Sequence, residues 1–176
     1  MIVKFKNFLK NQRPVKNGAG FTLIELIVAI GILTMILSLS IANYRGSNQS
    51  TLVQLEAYRI VADLRKLQNM ALSAIEFESS VPSGGWGISY TATANSYTLF
   101  ADINNNTVYD GVGELHQTID MDSNIVFSNS GVITFEPPDP ITNFSSAGSE
   151  QTIIITDNTT TQSVTVNLLG LIDVVN

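Results

Sequence analysis

The chain has 176 residues, 44% of them hydrophobic and only 14% charged, a formal net charge of −6 and no cysteine. That length favours one domain with an appendage, and the missing cysteines exclude disulfides and thiolate metal sites. Five of the nine Lys and Arg residues lie in the first 20 positions and all fifteen acids lie after them. Beyond position 20, four basic side chains (Arg45, Arg59, Arg65, Lys66) face fifteen acids, a balance that repels nucleic acid and anionic surfaces.

In chain order, residues 1–20 are a short basic leader and residues 21–42 an apolar run of 22 residues whose single charge is Glu25. A bilayer core of about 30 Å needs about 20 helical residues, so the run is long enough to span. Basic residues before it and their scarcity after it place the leader in the cytoplasm and the body outside. A secretory signal peptide fits poorly, because its apolar core is usually about 7–15 residues and ends at a small-residue cleavage site. Glu25 is the anomaly, since a carboxylate in a spanning helix costs about 2.5–3.5 kcal/mol at the bilayer centre and less near an interface. A plain alternative is a helix-start acid in the headgroup layer, where it suits the helix dipole.

The run Gly20-Phe21-Thr22-Leu23-Ile24-Glu25, with a basic leader before it and an apolar stretch after it, resembles the type IV prepilin signature. The resemblance implies that a membrane prepilin peptidase cuts between Gly20 and Phe21, that Phe21 is then N-methylated, and that Glu25 is the acid of the family's assembly motif. Cleavage leaves a cationic amine on Phe21. In a staggered bundle of such helices, Glu25 of one subunit meets the Phe21 amine of a neighbour. The pair removes the penalty of a lone acid in apolar surroundings and sets the axial register.

Residues 43–78 continue without proline. Val53, Ala57, Ile60, Leu64, Leu67, Ala71 and Ala74 recur at alternating spacings of four and three, a helical stripe suited to core packing, with Val61, Leu72 and Ile75 widening it. The simplest arrangement is one long helix over 22–77, apolar in its first half and amphipathic in its second. Many prepilins carry a proline near the end of the apolar segment; here that region reads Ile41-Ala42-Asn43-Tyr44.

A breaker cluster at 79–85 opens the β-rich body, 79–176. Strands are expected at 87–91, 97–102, 125–128, 132–136, 152–156, 163–167 and 171–174. The fold class is therefore α+β, a long N-terminal helix packed on a mostly antiparallel sheet. Gly85-Trp86-Gly87, the Asp/Asn loop from Asp102 to Glu114 and a last Gly170-led strand look like the GspH/FimT group of minor pilins and pseudopilins. That likeness implies a role near a filament tip or in assembly initiation. Some members of the group bind DNA through late basic residues; this chain has no Lys or Arg after Lys66, so that role does not carry over.

The Asp102 to Glu114 loop places oxygen side chains at Asp102, Asn104 and Asn106, then Asp110 and Glu114. With the Val108 carbonyl these are hard ligands at calcium-loop spacing. The match is imperfect: Thr107 stands where such loops need glycine, and the last acid is one residue late. The alternative is an Asx-rich surface turn. His116 is the sole histidine, so zinc would need carboxylates alone. Trp86 is expected as a sheet anchor and 136–140 as a stiff proline loop. No nucleophile elbow and no phosphate loop is present. The leading reading is a structural subunit with other pilin subunits, the processing peptidase/methyltransferase, an assembly platform and the inner membrane as partners, and no nucleic acid. The competing readings are a membrane-anchored adhesin or binding domain that never polymerises, and an enzyme, for which no catalytic constellation exists.

Overall fold

The computed structural model describes residues 20–138 and 141–175, with the backbone alone for 39–49. The leader before Gly20 and the end of the proline loop at 139–140 lie outside the described residues. The chain divides into two units, the first ending at Asn43 and the second covering Tyr44–Asn176; each is treated by itself.

Helix α1 covers Leu23–Leu72, and the backbone through 41–44, where no proline interrupts it, is helical. In the first unit its side chains have no core to enter: Leu23, Ile24, Leu26, Ile27, Ile30 and Leu33 are all exposed. Two hydroxyls in this apolar stretch are satisfied by the preceding turn. Thr34 donates to the Gly31 carbonyl at 2.9 Å and Ser38 to Met35 at 2.8 Å, so neither leaves an unpaired polar group on the helix surface. Among the described residues no helix is long and apolar enough to cross a membrane; described side chains of this stretch stop at Ser38.

In the second unit the stripe read from the sequence is the buried face of α1. Val53, Ala57, Ile60, Leu64, Leu67 and Ala71 are fully buried, with Val61 nearly so. Three expected residues differ: Ala74, the last of the stripe, is exposed beyond the helix end, and Leu72 and Ile75 are about half exposed. The helix also stops at Leu72 rather than at 77. Ala74 takes a left-handed conformation, φ 46°, its N–H bonds the Ala71 carbonyl at 3.0 Å, and the Ile75 N–H bonds Met70 at 3.0 Å. This is a Schellman C-cap with alanine where glycine is usual, which is why glycine-based stop signals did not mark it.

The body holds nine strands: β1 Gly85–Tyr90, β2 Ser96–Asp102, β3 Leu115–Asp120, β4 Val126–Phe127, β5 Gly131–Glu136, β6 Ile141–Phe144, β7 Glu150–Thr156, β8 Thr161–Asn167 and β9 Ile172–Val175. They form two antiparallel sheets instead of the single one expected, ordered β3-β2-β1-β5-β6 and β4-β7-β8-β9. The chain visits the second sheet at β4, returns for β5 and β6, then completes it. The seven expected strands all lie on observed ones. β3 and β6 were not anticipated: β3 is an edge strand with exposed His116, Gln117 and Thr118, so it lacks apolar alternation, and β6 is four residues long. One apolar cluster joins the helix stripe to Ile88, Leu99 and Ile133 of the first sheet and Ile153, Val164 and Val166 of the second.

Trp86 anchors the end of the helix to β1, as expected for an indole between glycines. It is 1% exposed, its indole N–H donates to the Ile75 carbonyl at 3.2 Å, and Phe77 meets it edge-on at 5.8 Å. Gly85 is required here: its φ is +85°, and a Cβ would stand 1.9 Å from the Phe135 carbonyl oxygen.

Candidate functional site

Two groups of sequence-selected residues can be located. The first is the start of α1. Thr22 precedes the helix and Glu25 lies in its first turn. The Glu25 N–H donates to Thr22 Oγ1 at 3.3 Å, while the Thr22 N–H and hydroxyl donate to Glu25 Oε2 at 3.4 and 3.3 Å. This reciprocal arrangement is a capping box, in which two helix-terminal N–H groups find acceptors. Within a single chain Glu25 therefore has a local role, the helix-start reading, and the Thr-x-x-Glu spacing that signals it is visible in the sequence. All these bonds are long for their type, and both residues are exposed, so the carboxylate is held loosely. Gly20 and Phe21 adjoin the box; Phe21 is 85% exposed.

The second group is the loop between β2 and β3. Asp102, at the end of β2, is fully buried, and its carboxylate accepts the N–H groups of Asn106 at 3.2 Å and Thr107 at 2.8 Å. A Cβ at Gly84 would stand 2.3 Å from the Asp102 Cγ, so glycine there makes room for the carboxyl group. Asn105 and Thr107 adopt positive φ, 56° and 58°, to turn those N–H groups inward. Asn104 and Asn106 both donate side-chain amides to Asp110 Oδ2, at 2.7 and 2.8 Å. Glu114 accepts the Ile103 N–H at 3.2 Å and the Asp110 N–H at 3.0 Å. Val108 contributes its N–H to Asn106 Oδ1 at 2.8 Å.

The five side chains singled out from spacing thus share one loop, and each carboxylate has N–H donors from the same loop. What this arrangement does by itself is close an Asx-rich turn. Among the described residues no group of three or more His, Cys, Asp or Glu could hold a metal ion.

His116, on β3, lies edge-on to Trp86 at 5.2 Å. Desolvation, and secondarily the charge of Lys66, hold its imidazole below its ordinary pKa. A link that spacing did not reveal is the Tyr97 hydroxyl, which donates to Asp63 Oδ2 at 2.6 Å and ties β2 to α1. No sequence signal marks it, because its two residues are 34 positions apart.

Residues 15–41 match the prokaryotic N-terminal methylation motif. No curated protein and no solved structure matches the chain. The motif implies a membrane-anchored precursor that meets a processing peptidase and other pilin subunits, and it suggests a structural protein rather than an enzyme. The matched motif, ahead of an α+β body, supports a type IV prepilin-like protein.

Proposed function

We propose that this protein is a structural subunit, a minor pilin or pseudopilin of the GspH/FimT type, of a type IV pilus or a type II secretion pseudopilus. Its precursor is a single-pass inner-membrane protein with the body outside the cytoplasm. The peptidase cuts between Gly20 and Phe21, Phe21 is N-methylated, and an assembly platform stacks the mature subunits through their N-terminal helices.

The observation that carries this reading is the exposure of the apolar start of α1. Leu23, Ile24, Met35 and Ile36 are 58–76% exposed, and apolar side chains occupy all sides of the helix up to Ser38. A helix apolar all round is stable only when lipid or other chains surround it. Glu25 then has two states. In the solitary chain it closes the capping box with Thr22; in the stack it leaves those long bonds for the cationic Phe21 amine of a neighbour, a stronger charge-assisted partner.

The test is the native protein in its own host. Intact-mass analysis of sheared filaments and of membranes should show a chain starting at methylated Phe21. Glu25→Ala should be processed and inserted normally yet excluded from filaments, because breaking one half of a buried pair costs about 3–5 kcal/mol. Glu25→Asp should be milder. Normal incorporation of Glu25→Ala would leave Glu25 as a helix cap and remove the pairing mechanism.

A further inference from the structure

The outward side of α1 in the second unit is apolar where a helix beside a core is ordinarily polar. Val53, Ala57, Ile60 and Leu64 face the core and are fully buried. Leu52, Leu55, Tyr58 and Ala62 recur at spacings of three, three and four on the opposite side of the same turns. Leu52 is 38%, Leu55 61% and Tyr58 54% exposed, and Ala62 is exposed as well. Arg59, at the margin of this ridge, is drawn aside: it pairs with Glu56 at 3.5 Å and donates to the Asp120 carbonyl at 3.0 Å. The ridge ends where Arg65 and Lys66 make the outward side cationic.

The chain's own body leaves the ridge bare, and lipid does not reach it. The apolar run ends at Ala42, and about 20 helical residues already cross a bilayer core, so residues 52–62 lie beyond it. Its cover is therefore protein. The ridge follows the helix for about 15 Å, and Ala62 is small enough to let a second helix axis approach to about 8–10 Å. A helix seated there must be apolar on its contacting side. The filament reading supplies such a helix: Leu23, Ile24, Leu26, Ile27, Ile30 and Leu33 are all exposed, and any subunit with the same methylation motif brings an apolar N-terminal helix that needs cover. A minor subunit is outnumbered by other subunits, so the helix that reaches it belongs to a different chain.

We propose that the Leu52–Leu55–Tyr58–Ala62 ridge receives the apolar N-terminal helix of a different prepilin-type subunit. The inference deepens the filament reading and rests on it. In a parallel stack, a neighbour whose N-terminal amine meets Glu25 aligns its apolar start with the apolar start of this chain. The occupant of 52–62 is therefore a further subunit, displaced towards the body end of α1. This chain then has another subunit ahead of it and does not itself terminate the filament.

Site-specific photo-cross-linking of the full-length protein in its own host tests this. Benzoylphenylalanine replaces Leu55 or Ala62, cells are irradiated, and sheared filaments and membranes are digested for mass spectrometry. Each position should yield an adduct with the N-terminal apolar peptide of another protein, beginning at a methylated residue. Leu169, 86% exposed on the β8–β9 turn, is the control position and should not yield it. Leu55→Arg should be processed and inserted normally yet enter filaments several-fold less, with Leu55→Ala milder. Filaments that contain the photo-reactive chains but give no such adduct overturn the docking and leave the filament reading intact. The adduct in membranes without any filament incorporation sustains the docking and overturns the filament reading. Neither adduct nor incorporation overturns both. Adducts with a second copy of this chain, with lipid or with a folded body, an equal yield from Leu169, or undiminished incorporation of Leu55→Arg, overturn the proposal.

Discussion

Tyr97→Phe isolates a hydroxyl that joins the helix to the first sheet. Tyr97 is 1% exposed, and its ring meets Phe127 edge-on at 6.1 Å; phenylalanine keeps that packing and removes only the donor to Asp63, 2.6 Å away. Hydrogen bonds to charged groups contribute about 1.5–3 kcal/mol. Asp63 is half-buried and recovers some water in the variant, so the expected loss is at the low end, about 1–2 kcal/mol. The assay is urea unfolding of a soluble body starting near Ser47, with a lower midpoint and an unchanged slope expected. The pH dependence gives a second readout. Burial, then the hydrogen bond and charge of Asp63, push the Tyr97 hydroxyl well above its ordinary value of 10.0. A raised folded-state value means that this contribution is complete below pH 10 and is lost as pH rises towards the folded-state value. Above pH 10 the wild-type body should therefore lose about 1.4 kcal/mol per pH unit relative to the variant. Equal stability of the two proteins at pH 7, or parallel curves above pH 10, would refute the reasoning.

Ala74→Gly should stabilise the body by about 0.5–1 kcal/mol, because alanine is held at positive φ in the helix C-cap; a lower urea midpoint would contradict the cap assignment. Asp102→Ala should cost about 1–3 kcal/mol by stripping acceptors from the Asn106 and Thr107 N–H groups, as measured by the same unfolding. Millimolar calcium should leave the melting midpoint of the unsubstituted body unchanged, since the loop carboxylates already have donors. A calcium-dependent rise abolished by both Asp102→Ala and Asp110→Ala would instead make the loop a cage that includes Asn104, Asn106, Glu114 and the Val108 carbonyl. The soluble body should not bind duplex DNA at micromolar concentration and physiological salt, because phosphate neutralisation supplies most non-specific affinity and its basic residues are so few; a gel shift under those conditions would reverse that expectation.

The sequence by itself determined what depends on local pattern. The buried face of α1 followed from spacing, because a helix repeats every 3.6 residues and Val53, Ala57, Ile60, Leu64 and Leu67 keep to it. The run from Gly20 to Glu25 pointed to the N-terminal methylation motif that residues 15–41 match, because its information lies in consecutive residues. The Asp102 to Glu114 spacing disclosed a special loop, though not what its carboxylates bond. The tertiary structure decided whatever depends on distant partners. It split the strands into two sheets, since pairing is chosen across the chain, as in Trp86 with Phe135. It made a strand of Leu115–Asp120, which pairs with β2 while exposing most of its side chains. It ended the helix at an alanine, where the bonds from Ala74 and Ile75 back to Ala71 and Met70 compensate an unfavourable φ that composition could not signal. It also buried Asp102 beside Gly84. A buried carboxylate must find donors, and only the folded loop brings the N–H groups of Asn106 and Thr107 within reach.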